Sequence, residues 1–388
     1  MSGRLLVVVT VVAGVLAATL ALLTRPVGRP PAARVSVAEA LTGDDSGYAR
    51  ATAPRPLTFP ADHGPHARYR TEWWYYTGNL ETPEGRHFGY QLTFFRIALA
   101  AEGPARESAW GTREVYMAHF AVTDTAGRRF HPRARFARGA AGLAGAASHP
   151  FRVWTEDWSA TSAGPDALPM RLQASEHGIA IDLALESTRA PVAQGERGLS
   201  RKGPEPGNAS YYYSFTRMPT RGTVQVGEER FEVRGLSWMD REWSTSALGD
   251  KVGWDWFALQ LDDGRDVMYY QLRRADGSTD RFSAGTVVGP DGRTGTLAAD
   301  DVTLEVLDVW TSSRGVRYPG RWRLAIPAEG LDVEIVPRLA DQEHIQPFRY
   351  WEGAVLVRAK GTPARGGVGY VELVGYGEPA RERVASGR

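Results

Sequence analysis

The chain has 388 residues, with 46 basic and 45 acidic side chains, so no bulk charge steers it toward nucleic acid or an anionic surface. It has no cysteine, which excludes disulfides, thiolate nucleophiles, cysteine-ligated zinc, iron–sulfur clusters and a lipidated-cysteine anchor. Its 43 Gly, 24 Pro, 12 Trp, 15 Tyr and 13 Phe suit many short strands joined by turns.

Arg4 precedes an uncharged apolar run over residues 5–23, followed by Thr24-Arg25-Pro26. This reads as a signal peptide or signal anchor over residues 1–25, about long enough to cross a bilayer as a helix. The expectation is an extracytoplasmic protein, periplasmic or secreted, with cleavage or retention of the anchor left open. Residues 26–54, rich in Pro, Ala and Gly, read as a linker. From Arg55 the pattern is β. Residues 88–95 form a strand between turn signals. Residues 115–122 alternate, with Val115, Met117, His119 and Ala121 on one face. Residues 171–174 and 179–185 flank the turn Glu176-His177-Gly178 as a hairpin, and 195–208 read as a loop before a strand at 211–215. A second series starts near Gly222, with strands at 223–226, 231–233, 254–261, 267–272, 322–326, 333–336, 354–357 and 370–374. Turn signals recur at the spacing of sandwiches and barrels, and no segment after residue 25 keeps a helical period. The reading is all-β, with two domains over residues 55–220 and 221–379 and a tail over 380–388.

Charge sits among aromatics in two places. In residues 70–79, Glu72, Trp74 and Tyr76 share one strand face and Trp73, Tyr75 and Thr77 the other. Glu72 is either desolvated in a cavity, with a raised pKa, or paired with an arginine inside an aromatic core. In Ser237-Trp238-Met239-Asp240-Arg241-Glu242-Trp243, Asp240 and Glu242 share a face and Arg241 and Trp243 the other. Either the two carboxyls keep a proton near neutrality, one of them a general acid, or they belong to an ion-pair network joining two domains. Trp238, Trp243, Trp254 and Trp256, with Tyr269 and Tyr270, either line a cavity for an elongated apolar ligand or fill a core. His63-x-x-His66 lacks a third close ligand for a metal, and His119 reads as a satisfied core histidine. There is no His-Glu-x-x-His, Gly-x-Ser-x-Gly or phosphate-binding loop. No metal and no cofactor are expected.

Phe59-Pro60-Ala61-Asp62-His63-Gly64-Pro65-His66 running into Glu72-Trp73-Trp74-Tyr75-Tyr76-Thr77-Gly78 resembles the AttH/CrtC-like superfamily. So do Gln91-Leu92-Thr93-Phe94-Phe95-Arg96, the segment 237–243 and Gly369-Tyr370-Val371-Glu372-Leu373. That superfamily includes carotenoid 1,2-hydratases (hydroxyneurosporene synthases) and predicted secreted hydrolases. The resemblance spans about residues 55–378. It implies two tandem lipocalin-like, calycin-like antiparallel β-barrels. It also implies cofactor-free, acid-catalysed water addition to, or hydrolysis of, a lipophilic substrate such as an isoprenoid. On that reading Asp240, Glu242 and Tyr270 are catalytic, with Asp240 or Glu242 as the acid and Trp243, Trp254 and Tyr270 around a cation. The expected substrate contacts are Glu72, Trp74, Tyr76, Gln91, Arg241, Trp243, Trp254, Trp256 and Gln271. Gln271 stands where the carotenoid enzymes place an aspartate after paired tyrosines, and Arg241-Glu242 where they carry a His-Asn-type pair. This chain therefore resembles the secreted branch more closely. The alternative is a non-catalytic, lipocalin-like carrier of a lipid or isoprenoid, passing it to a membrane transporter. An enzyme requires a cavity reached by Asp240 or Glu242, whereas a carrier has its carboxylates paired with arginines outside the cavity. Arg241 is a ready partner for either carboxylate.

Overall fold

The computed structural model describes residues 45–377, apart from 102–107, 109, 165–166, 188, 246–250, 346–347 and 360–365. The expected signal segment, residues 26–44 of the linker and the tail lie outside the described residues. Among the described residues no helix is long and apolar enough to cross a membrane.

The chain is all-β, as its turn spacing implies. The first sheet contains β1 (Thr71–Glu81), β2 (His87–Ala98), β3 (Glu114–Asp124), β4 (Arg129–Arg138), β5 (Ala144–Ser148), β6 (Phe151–Thr155), β7 (Trp158–Ser162), β8 (Met170–Glu176), β9 (Ile179–Leu185), β10 (Val192–Ala193), β11 (Leu199–Arg201), β12 (Ala209–Val226) and β13 (Glu229–Ser244). The second contains β14 (Lys251–Leu261), β15 (Asp266–Arg274), β16 (Ala284–Val288), β17 (Thr294–Ala298), β18 (Thr303–Thr311), β19 (Arg317–Ile326), β20 (Leu331–Pro337), β21 (Glu343–His344), β22 (Tyr350–Ala359) and β23 (Gly367–Val374). The first sheet runs β4-β3-β2-β1-β13-β12-β9-β8-β7-β6-β5, and the second β17-β16-β15-β14-β23-β22-β20-β19-β18. Every pairing is antiparallel, and each sheet curls into a near-closed barrel around its own core.

The change of sheet falls between Ser244 and Lys251, not at residue 220. Residue 220 lies inside β12, and β1 pairs with β13 along the whole of β1, from Thr71↔Ser244 to Glu81↔Arg234. The glycine that suggests a break, Gly222, is a local feature of one long strand. Its φ is +150°, and a Cβ there would sit 2.1 Å from the Asp182 carbonyl oxygen, so the close crossing of β9 requires glycine. The segment around Asp240 therefore closes the first barrel instead of opening the second.

Three apolar clusters follow from strand alternation. Trp74, Tyr76, Phe120, Trp158, Met239 and Trp243 fill the first barrel. Phe257, Leu259, Trp322, Trp351, Val371 and Leu373 fill the second. Tyr75, Tyr212, Trp238, Trp256, Tyr270 and Tyr370 form a third cluster along the seam between the barrels. Strands at the seam are buried on both faces, so they lose the polar–apolar alternation of a half-exposed sheet. The seam is stitched by polar side chains. Asn79 Nδ2 donates to Gly369 O at 3.0 Å, and Gln260 Nε2 to Ser237 O at 3.0 Å. Buried Asp266 accepts from Thr216 Oγ1 at 2.8 Å, Arg189 at 2.8 Å and Arg217 at 2.6 Å.

Candidate functional site

The seam opens into a cleft of about 140 Å³. That is room for roughly ten water-sized groups. Three transverse rows of the first sheet lead into it. The outer row is Ile97, Thr71 and Ser244 on β2, β1 and β13. The middle row is Met117, Phe95, Trp73, Glu242 and Tyr212, on β3, β2, β1, β13 and β12. The innermost row is His119, Thr93, Tyr75, Asp240 and Ser214 on the same five strands. The second sheet faces them with Leu272 opposite Trp254, and with a row of Tyr270, Trp256, Glu372 and Glu352. Deeper still, the Asn79–Gly369 bond closes the seam.

Aromatic walls hold a group of carboxyls. Asp240 is 4% exposed and accepts from Trp238 Nε1 at 2.7 Å, Ser214 Oγ at 2.5 Å and Tyr212 OH at 2.5 Å. Burial outweighs these three donors and pushes its pKa up to about 7, with the Glu242 charge adding to the rise. Trp256 Nε1 donates to Tyr212 OH at 3.2 Å, so the donor shell is itself held in place. Glu372 has a single indole partner, Trp254 Nε1 at 3.1 Å. Burial raises it to about 7, helped by the charges of Asp240 and Glu242. Glu352, directly opposite Glu372 across β22 and β23, accepts from Tyr75 OH. Burial and the neighbouring Glu372 push it well above the ordinary range. Like charges placed opposite one another resist ionising together, so their repulsion adds to burial in favouring the protonated forms. One cation balances the group from the other side. Lys202 Nζ lies 3.6 Å from Glu242 Oε1 and 3.7 Å from the Tyr270 ring centroid.

Of the expected site residues, Asp240, Glu242, Tyr270, Trp254 and Trp256 meet in this cleft. Tyr270 OH is anchored by Ser200 Oγ at 3.0 Å. Glu72 reaches the rim but is fully buried and ion-paired with Arg96, at 2.6 Å, and with Arg241. Burial opposes its ionisation, yet Arg241, His66 and Arg96 hold its carboxyl below the usual carboxylate range. Arg241 turns into the first barrel, over the Trp74 ring at 4.0 Å, and bonds Glu72 and Gly64 O. Its Nη1 donates to the Glu242 backbone carbonyl at 3.1 Å, but its ion-pair partner is Glu72 and not the carboxyl of Asp240 or Glu242. Trp74, Tyr76 and Trp243 are core residues of that barrel, and Trp243 stacks on His66 at 3.8 Å. Gln91 lies beneath the cleft, donating to Tyr350 OH at 3.2 Å. Gln271 alternates with the cleft-lining Tyr270 and Leu272 and does not line the cleft. His63 and His66 are structural here: His63 Nδ1 meets Tyr213 OH at 2.5 Å, and His66 lies between Asp62 at 3.0 Å and Glu72 at 3.2 Å.

These displacements share one cause. The cavity lies between the barrels, not inside one, so the cleft face of β1 carries Trp73 and Tyr75 instead of Trp74 and Tyr76. Lys202, His119, Glu372 and Tyr212 are the residues sequence reasoning missed. Glu372 carried a usable signal, a carboxylate between Tyr370, Val371 and Leu373 in a largely buried strand, where Glu372 itself is half-buried at the cleft. Lys202, in a loop, carried none.

The sequence pattern that defines the AttH-like family matches residues 50–376. The chain belongs to the AttH-like family. A solved AttH protein from Nitrosomonas europaea is 33% identical, with a TM-score of 0.76, over 84% of this AttH-like chain and 99% of that one. Kievitone hydratase from Nectria haematococca shares the fold at 17% identity, with a TM-score of 0.63 over 85% of this chain and 96% of that one. Dehydratase asqC from Emericella nidulans is 25% identical over 186 residues, 45% of this chain and 50% of that protein. The AttH-like chain thus spans about half the length of that curated relative.

Proposed function

We propose that the AttH-like chain is a cofactor-free hydro-lyase that adds water to, or removes it from, a lipophilic substrate in the cleft between its barrels. The observation that carries this reading is the pair Asp240 and Glu372, two indole-flanked carboxyls with pKa values of about 7 facing one apolar cleft from different barrels. A relative named as a dehydratase and a structural neighbour named as a hydratase agree with it.

The donors around each carboxyl divide the roles. Three hydrogen bonds favour the ionised form of Asp240, so Asp240 is the base. Glu372, with one donor and with Asp240 and Glu242 raising it, keeps the shared proton and is the acid. This reverses the expectation that Asp240 or Glu242 is the acid. In the hydration direction Glu372 gives its proton to one carbon of a C=C bond. Water adds to the cation at the other carbon, and Asp240 takes the proton that water sheds. One C–H, one C–O and the Asp240 O–H bond form, while the π bond, the Glu372 O–H bond and one water O–H bond break, and passage of a proton from Asp240 back to Glu372 restores the acid. Dehydration is the same path reversed. The faces of Trp254, Trp256 and Tyr270 stabilise the cation. The carrier reading needs carboxylates paired with arginines, and Asp240 is held instead by neutral donors.

The test uses purified full-length protein in ¹⁸O-labelled water. Kievitone, the compound in the name of one structural relative, and isoprenoid alkenes are offered, and products are read by mass spectrometry. The wild type is expected to incorporate label into at least one of them. Asp240→Asn and Glu372→Gln should each slow that reaction about 100- to 10,000-fold. Wild-type turnover in both variants would contradict the assignment, and tight binding without turnover would restore the carrier reading.

A further inference from the structure

His119 is a buried cleft residue that the proposed chemistry does not use. It lies on β3 in the innermost row, 1% exposed, and lines the cleft with Met117 and Phe95. Its Nδ1 is fixed by Tyr350 OH at 2.6 Å, and its ring packs beside the stacked pair of Tyr350 and His344, with centroids at 5.5 and 5.7 Å. Its Nε2 is buried with no hydrogen-bond partner. Burial lowers the pKa of the imidazole to about 3, so the ring is neutral at any working pH and carries one proton. Gln91 Nε2 already donates to the Tyr350 oxygen at 3.2 Å. The Tyr350 hydroxyl also faces Glu352, so it either donates to His119 Nδ1 or accepts from it, and Nε2 is correspondingly a donor or an acceptor. A buried ring nitrogen without a hydrogen-bond partner is costly, and one on a cleft-lining residue is best explained by a partner that arrives with the ligand.

We infer that His119 Nε2 hydrogen-bonds a hydroxyl on the substrate and so selects lipophilic molecules that carry a hydroxyl group away from the reacting carbon. Asp240 and His119 stand in the same transverse row, separated by β1 and β2. Three inter-strand steps place their backbones roughly 14 Å apart. The two polar ends therefore suit an elongated molecule, with its apolar middle against Trp73, Phe95 and Tyr75. This inference rests on the cleft being the ligand site, as proposed above, but not on the acid–base roles of Asp240 and Glu372.

The test is calorimetric titration of the full-length chain with geraniol and with its hydroxyl-free counterpart myrcene. The wild type should prefer geraniol. His119→Phe should lower geraniol affinity roughly 3- to 10-fold, the size of one neutral hydrogen bond, and leave myrcene unchanged. His119→Gln, which keeps both a donor and an acceptor, should retain most of the preference. If His119→Phe fails to fold, His119→Gln and Tyr350→Phe decide the matter. The first must keep the preference, and the second, which releases Nδ1, must weaken it. A geraniol preference that survives His119→Phe overturns the role of His119 while leaving the acid–base reading intact. Equal affinity for the two ligands in the wild type does the same. Failure of the wild type to bind either ligand counts against both.

Discussion

Asp240 shows how burial can win over good hydrogen bonding. Ser214, Trp238 and Tyr212 all donate to its carboxylate, yet its pKa stands at about 7 against an ordinary 3.8. Between those two values the folded chain binds more protons at this site than the unfolded chain does. Stability therefore falls as pH rises from about 4 to about 7 and is level above that. Asp240→Asn removes this dependence and keeps an acceptor for Ser214 and Trp238. At pH 8 the variant is expected to be more stable than the wild type by up to a few kcal/mol, about 1.4 for each pH unit of the window. Near pH 4 the two should be similar. Urea unfolding at both pH values checks this, and a gap that does not grow with pH would show that Asp240 ionises freely. The sign is the opposite of that at Glu72, whose lowered pKa contributes stability at neutral pH that acid removes.

At the level of the element, β13 serves two environments with one run of residues. Asp240 and Glu242 face the cleft, while Arg241 and Trp243 face the first barrel. Arg241→Met should therefore act on stability and not on the cleft. It leaves Glu72 buried with one guanidinium fewer, an imbalance expected to cost about 3–5 kcal/mol. Thermal unfolding measures the loss, and geraniol affinity in the folded protein should stay unchanged. A stable variant with altered affinity would place Arg241 in the ligand site after all. This strand also shows what was legible beforehand. Period-two alternation correctly sorted Asp240 with Glu242, Arg241 with Trp243, and Glu72 with Trp74 and Tyr76. Alternation says which residues share a face, not whether that face meets a core, a second sheet or a ligand. For β1, buried on both sides, composition offered no discrimination, and the face expected to meet ligand is the one turned into the first barrel. Gly222 looked like a boundary because a glycine beside a turn-like segment usually is one. Its real role, clearance over Asp182, depends on a neighbour distant in sequence. His119 was placed on its correct face with Met117, but that face proved to be the cleft and not the core.

At the scale of the molecule, neither barrel forms the cleft alone. Asp240 and Glu242 come from the first sheet, and Glu372, Trp254, Trp256 and Tyr270 from the second. The Asp266 cluster, with Arg189, Arg217 and Thr216, holds the sheets in the register that brings them together. A net charge of +1 conceals this concentration of carboxyls in one dry seam. The central claim is that the seam holds an acid and a base sharing a proton near neutrality, which infrared titration of the wild type, Asp240→Asn and Glu372→Gln measures without any substrate. The account predicts protonated buried carboxyl absorption at pH 6 that declines around pH 7, with a distinct part of that titration missing in each variant. A wild type with no protonated carboxyl absorption at pH 6, or a titration that both substitutions leave untouched, would contradict it.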